Sequence, residues 1–361
     1  MKTYMENLTS FLKEVPREIS VVVMPDFFLD RLITLEQTPS EFADTVKDVA
    51  GRKGGSVDGI RQTDIRGGNA PNVASALATL GAKVTPIVCT SALGKQLLTY
   101  HLKPLGVDLS HVKVAGSASL TTALELKDKD GRVNVMLRDL GALADFGPDD
   151  LSDKDYDVIR TADYVCVFNW AGTRSHGTEL CQRVFGAVKR GGRGKTFLDT
   201  ADPMPNRERI PEFVEKVLTS SQVDVLSLNE NEAITYAAHL RGETHREKES
   251  EQLGELALES ARFLAKHLSA RVDLHATEFS ATFTKGDETV VPAFRVNALR
   301  ATGAGDAWDA GTIFADGNGL SDECRLTLAN AVAACYLTDP DGRHPTREAL
   351  VRFLEEHACG I

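Results

Sequence analysis

The residues best suited to chemistry lie in one stretch, Leu-Arg-Ala-Thr-Gly-Ala-Gly-Asp-Ala-Trp-Asp-Ala-Gly over residues 299–311. Gly303 and Gly305 let the backbone turn tightly and approach a ligand closely. Ala307, Trp308, Ala310, Ile313 and Phe314 then recur at helical spacing. The stretch reads as a glycine loop opening a helix, whose free N–H groups and partial positive charge favour an anion such as phosphate. Asp306 places a carboxylate among those amides, and accepting a proton from a hydroxyl is the chemistry that position suggests. The plainer reading is a first-turn carboxylate that caps the helix amides.

A second constellation is Gly67-Gly68-Asn69-Ala70-Pro71-Asn72-Val73-Ala74. Its glycines allow close backbone approach, and Asn72 offers a donor and an acceptor to hydroxyls. A tight turn with an N-cap by Asn69 would explain the same residues. Together the two segments resemble the paired signatures of the ribokinase-like (PfkB) carbohydrate kinases, in the same order and about 230 residues apart. The resemblance runs in outline from about Ile19 to Leu354.

The resemblance implies phosphoryl transfer. Asp306 would be the base that deprotonates the acceptor hydroxyl, and the amides of Thr302, Gly303, Ala304, Gly305 and Asp306 the anion hole. Asp30, Gly67, Gly68 and Asn72 would bind the acceptor; Asp26 rivals Asp30, and an exposed strand-end Asp is the simpler reading of either. Asn229 and Glu232, in Asn229-Glu230-Asn231-Glu232, match the family's N-x-x-E motif, which orders Mg²⁺ and its waters near the phosphates of ATP. Mg²⁺ retains waters and takes few carboxylates, so an indirect role suits Glu232. Helix capping by Asn229 accounts for the same residues.

Three positions depart from the family pattern. Arg300 stands where an acid commonly helps hold a monovalent cation, so K⁺ activation is not expected, and Arg300 would instead set a fixed positive charge near phosphate. The T-x-G loop that meets the nucleotide appears as His275-Ala276-Thr277-Glu278-Phe279, without its glycine. Trp308 replaces the usual Phe and reads as packing. Two other motifs are set aside. Gly191-Gly192-Arg193-Gly194-Lys195-Thr196 ends like a phosphate-binding P-loop, but position 189 is Lys and a strand follows where a helix is required. Gly303-Ala304-Gly305 begins like a dinucleotide fingerprint, but Trp308 occupies the third glycine's place.

The elements that would position these groups can be read from periodicity. Helices are expected at Tyr4–Lys13, Glu41–Val49, Asn69–Leu80 (closed by Gly81) and Gly94–Leu102. Buried strands are expected at Ile19–Met24 and Val84–Cys89. Arg31–Glu36, Ser56–Arg66, Thr121–Leu126 and Arg132–Leu137, the last two joined by a turn at 128–131, suggest a small antiparallel sheet. From 164 onward strands (Tyr164–Phe168, Thr196–Leu198, Val223–Leu228, Val272–His275) alternate with helices (His176–Lys189, Glu208–Leu218, Glu230–His239, Glu251–Leu268), which argues for a parallel sheet wrapped by helices. A hairpin at Ser280–Arg295 and helices at Ala304–Phe314, Ser321–Leu337 and Pro345–Glu356 complete the chain. The charged run Gly242–Ser250 reads as solvated loop. The expectation is one three-layer α/β/α domain with a mostly parallel central sheet, ribokinase-like, carrying a β-lid from about 31–66 and 110–139.

Composition narrows the partners. The chain has 361 residues, net charge −11 and 42% hydrophobic residues, enough for a large core and without the basic footprint of a nucleic-acid or anionic-membrane binder. Its six cysteines form no C-x-x-C pair and read as reduced residues of a cytoplasmic protein. No apolar run is long enough to span a bilayer. The expected activity is transfer of the terminal phosphate of a nucleotide, ATP foremost, to a sugar hydroxyl. A nucleoside acceptor, ADP as donor, and a catalytically silent sugar- or nucleotide-binding regulator are the alternatives. By the resemblance, the lids of two copies would pair in a homodimer, which also covers strand edges.

Overall fold

The computed structural model describes residues 2–128, 131–243, 253–300 and 302–358. The charged run beyond 243, the tip of the turn at 129–130, Ala301 and Cys359 lie outside them.

The chain opens with α1 (Lys2–Lys13), β1 (Ser20–Met24), β2 (Phe28–Thr34), α2 (Pro39–Gly51), β3 (Arg61–Gly67) and α3 (Asn69–Leu80). Next come β4 (Lys83–Pro86), β5 (Cys89–Thr90), α4 (Ala92–Leu102), β6 (Lys113–Val114), β7 (Ser119–Asp128), β8 (Gly131–Asp139), α5 (Asp153–Thr161) and β9 (Tyr164–Val167). There follow α6 (Gly177–Gly191), β10 (Lys195–Asp199), α7 (Ile210–Phe213), β11 (Val225–Leu228), α8 (Glu230–Arg241), α9 (Leu253–His267) and β12 (Arg271–His275). The last elements are β13 (Phe279–Phe283), β14 (Glu288–Pro292), α10 (Ala304–Gly317), α11 (Asp322–Thr338) and α12 (Arg347–Ala358).

Among the described residues the main sheet runs β14-β13-β12-β11-β10-β9-β1-β4. Its members from β12 to β4 are parallel, and the hairpin β13–β14 is antiparallel. Successive side chains of one strand enter opposite cores. Val22, Val165 and Leu198 pack with Leu180, Val184, Tyr236 and Leu264 on one face. Val21, Cys166 and Phe197 pack with Leu77, Ile313, Phe314 and Leu328 on the other. A sheet covered on both sides needs apolar residues at every position, which is why these strands are continuous apolar runs. The result is the expected three-layer α/β/α architecture.

One buried charged pair lies within these layers. Asp273 and Arg325, both fully buried, form an ion pair at 2.8 Å. Asp273 also accepts from Thr282 at 2.5 Å, and Arg325 Nη1 donates to Thr312 at 2.9 Å.

A second sheet, ordered β3-β2-β7-β8, stands apart from the first. Asp30 lies opposite Ile65 on β3 and Thr121 on β7, and Thr121 lies opposite Arg138 on β8. These cross-strand partners share a face. Val135, Met136 and Leu137 on the edge strand β8 are exposed.

The second sheet is not wholly antiparallel as expected: β2 and β7, far apart in the chain and not joined by a hairpin, run parallel. Three segments also differ from the sequence reading. The run Val84–Cys89 is not one strand: β4 stops at Pro86, which has no N–H for the ladder, and Cys89–Thr90 pairs with Lys113–Val114 instead. The region 208–218 is not one α-helix but a 3₁₀ turn (Met204–Arg209), the short α7 and a π turn (Val214–Leu218), with Pro211 at the start of α7. Helix α5 went unread, although its capping box (Ser152 N to Asp155 Oδ2, 2.6 Å) is visible as Ser-x-x-Asp. Gly191–Thr196 behaves as expected of a false P-loop: it ends α6, turns at Gly192 (φ +82°) and enters β10.

Candidate active site

The parallel strands β1, β9, β10, β11 and β12 deliver Asp26, Asn169, Asp199, Asn229 and His275 at or just beyond their carboxyl ends. This is the edge where open α/β sheets bind ligands. Helix α10 starts there too. Its N-cap, Gly303, has φ +86°, a left-handed conformation that a β-carbon would strain. A β-carbon at Gly303 would also lie 2.6 Å from the Tyr336 hydroxyl, which donates to Thr302 O at 3.3 Å. The first amides of α10, from Ala304 to Asp306, have no intrahelical acceptor by their position.

Asp306 is buried on the third residue of α10. Its carboxylate does not cap its own helix. Oδ1 accepts from Asn69 Nδ2 and Oδ2 from Asn72 Nδ2, each at 2.8 Å. The two segments singled out in the sequence thus meet at one carboxylate. Burial pushes the Asp306 pKa up to about 8; the Asn72 and Asn69 amides oppose this, and the charges of Asp199 and Asp26 add to it. Arg66 Nε donates to Asn72 Oδ1 at 3.2 Å, which fixes the amide orientation that serves Asp306.

Asn69 does not cap α3. The N-cap is Gly68, and the first amides of the helix are bound from another strand: Asn69 N and Ala70 N donate to the two oxygens of Asp26 at 2.9 and 3.0 Å. Asn169 Nδ2 donates to Asp26 as well, at 3.0 Å. Burial raises the Asp26 pKa against these hydrogen bonds. Gly68 has φ +93°, and a β-carbon there would sit 3.0 Å from Phe27 Cα. At Gly67 a β-carbon would fall 2.0 Å from Asp30 Oδ2, so the Asp30 carboxylate rests directly on that glycine. Asp30 Oδ1 is buried without a donor. Burial lifts the Asp30 pKa to about 6, with Thr121 and the charge of Arg138 holding it down. The Arg138 guanidinium lies 4.9 Å above the Phe28 ring.

The structure brings Asp30, Gly67, Gly68, Asn72, Gly303 and Asp306 into this neighbourhood. Asn229 and Glu232 are occupied with each other in a capping box on α8. Asn229 N and Nδ2 donate to the two Glu232 oxygens at 2.9 and 2.8 Å, and Glu232 N donates back to Asn229 Oδ1 at 3.0 Å. Glu232 is buried, and burial together with the charge of Asp199 raises its pKa well above the carboxylate range. Arg300 is turned to the loop after α11, where Nη2 donates to Asp339 O at 2.6 Å and Pro340 O at 3.0 Å. Trp308 packs with Val291, Leu326 and Ala329, and its Nε1 donates to Ser280 Oγ and Asn330 Oδ1, both at 2.9 Å.

Sequence reasoning missed that Asn69 holds Asp306, that Asp26 binds the first amides of α3 and accepts from Asn169, and that Asp199 and Asp309 come together. Only the separate placements of the last two were visible: Asp199 ends an apolar strand, and Asp309 follows Asp306 by one helical turn on the same face.

Comparison with known proteins finds a family and a shared fold. Residues 39–349 match the pfkB family of carbohydrate kinases. A 5-dehydro-2-deoxygluconokinase of Geobacillus kaustophilus is 25% identical over 305 residues, 81% of this chain and 86% of the relative. An ATP-dependent ribose-1-phosphate kinase of Halopiger xanaduensis is 29% identical over 295 residues, 80% of this chain and 86% of the relative. The structure of Arabidopsis thaliana ribokinase complexed with ribose and ATP superposes with a TM-score of 0.68 at 20% identity, covering 94% of this chain and 99% of that one. Adenosine kinase from Sinorhizobium meliloti gives 0.71 at 18% identity, covering 94% and 100%. At such identities the superpositions speak to fold alone.

Proposed function

The chain belongs to the pfkB family of carbohydrate kinases, and we propose that it transfers the terminal phosphate of ATP to a hydroxyl of a sugar derivative. The observation that carries this reading is Asp306: a buried carboxylate at the mouth of a helix N-terminus, gripped at both oxygens by amides of the other motif.

In this reading the acceptor lies against Gly67 and Gly68, with Asp30 accepting from its hydroxyls and Asn72 beside them. One acceptor hydroxyl gives its proton to Asp306 as its oxygen attacks the terminal phosphorus. A base with a pKa near the working pH suits this step. The amides from Thr302 to Asp306 receive the charge of the migrating group, and losing one such donor typically costs about 100- to 1000-fold in rate. The second sheet serves as a lid that keeps water from competing as acceptor.

Glu232 and Asn229 fit the Mg²⁺ role. Burial, and after it the charge of Asp199, raises the proton affinity of Glu232, and a nearby cation would offset the charge. Mg²⁺ bound there would neutralise charge on the donor phosphates.

Arg138 favours an acceptor that carries an acidic group. It shares a face with Asp30 and Thr121 and its charge acts on Asp30. One of the relatives is named for a sugar phosphate, ribose 1-phosphate. A panel of neutral sugars, sugar acids, sugar phosphates and nucleosides, each offered with ATP and ADP, tests acceptor and donor together. Turnover confined to nucleosides, or to ADP, overturns this assignment, and binding without transfer to any acceptor points to a regulator. Asp306→Asn tests the base: its turnover should fall by about 100- to 10,000-fold with nucleotide binding retained.

A homodimer through the second sheets would cover the exposed apolar residues of β8 and its free edge. Sedimentation should show a dimer that Leu137→Asp converts to a monomer; a monomeric parent protein would rule the arrangement out.

A further inference from the structure

Beside Asp306 the ends of three elements bring a second set of groups together. Asp199 closes β10, His275 closes β12, and Asp309 lies one turn after Asp306 on α10. One donor atom from each, two carboxylate oxygens and an imidazole nitrogen, lie within 4.8 Å of one another. Asp309 is fully buried. Its Oδ1 accepts from Ser227 Oγ at 2.6 Å, while Oδ2 has no donor. His275 Nε2 is also shut away from solvent without a partner. The imidazole is held in place, with its ring centre 5.2 Å from that of Trp308 and its Cε1 3.2 Å from where a β-carbon on Gly305 would stand.

Buried polar atoms in native proteins almost always have a partner. Here two buried atoms without one, Asp309 Oδ2 and His275 Nε2, belong to residues whose donor atoms cluster. Two carboxylates are both acceptors and cannot satisfy one another without a proton or a cation between them. The charge of Asp199 also bears on Asp306, Glu232 and His275, so negative groups gather on one side of the pocket with no Lys or Arg bonded to Asp199 or Asp309 among the described residues.

We propose that Asp199, His275 and Asp309 form a binding site for one divalent transition-metal cation of the Mn²⁺ or Zn²⁺ type. One imidazole and two carboxylates suit such ions better than Ca²⁺, which takes oxygen donors throughout. Bonds of roughly 2.0–2.2 Å would require each donor to move inward by less than about 1 Å. Three protein ligands leave further positions open to water or substrate oxygen. The site is built from protein atoms alone, so it fills without nucleotide or sugar, unlike a cation brought in on the donor phosphates. It stands independently of the kinase reading for the same reason.

The test uses the metal-free full-length chain with Mn²⁺ alone, followed by the loss of the free-ion electron paramagnetic resonance signal and by pulsed measurement of nitrogen coupling. One Mn²⁺ per chain is expected, coupled to a single imidazole nitrogen. Binding should weaken at least tenfold in both His275→Gln and Asp309→Asn, with circular dichroism reporting that each variant is folded. The nitrogen coupling in the parent protein decides the matter even if a variant does not fold. Failure to bind either Mn²⁺ or Zn²⁺, binding without nitrogen coupling, or binding unchanged in both folded variants overturns the proposal.

Discussion

Asn72 and Asp306, 234 residues apart in the chain, are joined by a hydrogen bond of 2.8 Å from a side-chain amide to a carboxylate. That bond stabilises the ionised form of Asp306 against the burial that opposes it. If Asp306 is the base, as proposed, the bond bears on when it is ready. Activity should rise with pH along a limb set by a group near 8, measured as kcat/KM for the acceptor. Asn72→Leu removes the donor and should move the limb to higher pH. A profile flat from pH 6 to 9, or a limb unmoved in the variant, would count against Asp306 as the base.

The same carboxylate is a cost to the fold. Its pKa is raised from the ordinary value of 3.8 to about 8 in the folded chain. The folded state holds that proton more tightly than the unfolded one, so the contribution is fully present below about pH 4 and is lost as the pH rises through about 8. Asp306→Asn keeps a neutral side chain at every pH. It should melt higher than the parent protein at pH 8 while losing turnover, and the gain should shrink towards pH 4. An equal shift in melting temperature at both pH values would contradict the assignment.

In the proposed function Gly67 lies on the acceptor side. A β-carbon there would press into the Asp30 carboxylate at 2.0 Å. Overpacking of this kind costs about 1–3 kcal/mol. Gly67→Ala should displace Asp30 and lower kcat/KM for the acceptor by about tenfold or more, chiefly through KM, with nucleotide affinity unchanged. Nucleotide affinity falling in step with acceptor affinity would place Asp30 elsewhere in the mechanism.

Arg300 sits on two backbone carbonyls, those of Asp339 and Pro340. Carbonyl oxygens are what a monovalent cation would seek, and a guanidinium that cannot dissociate already holds them. Exchanging Na⁺ for K⁺ at constant ionic strength should leave kcat unchanged. A severalfold stimulation by K⁺ would show that another pocket takes the ion.

Much of the scaffold was legible because its signals are local. Asn69–Leu80 was legible to its boundaries, since Pro71 suits an early helical position and Gly81, which takes positive φ, closes it. The breaks at Pro86 and Pro211 were also local, but apolar periodicity ran across them and was given more weight than the missing N–H. What stayed hidden were the partners of side chains. Asn72 reads from sequence as a group for hydroxyls, and in the fold its amide is spent on Asp306. Asp273 is concealed in an apolar strand: Arg271, two residues before it, is one partner, but Arg325, the fully buried one, arrives 52 residues later. Asp199, His275 and Asp309 come from three distant segments, and spacing along the chain carries no trace of their meeting.

The join between Asn72 and Asp306 also fixes when the enzyme comes into being. A ribosome finishes the strand-rich first half, second sheet and glycine turn included, long before α10 leaves the exit tunnel. Until then the amides of Asn69 and Asn72 have no carboxylate to hold, and the apolar flank of α3 waits for α10 and α11 to cover it. A chain stopped short of those helices is no weaker version of the catalyst. It is a sheet with an open side and half of a site.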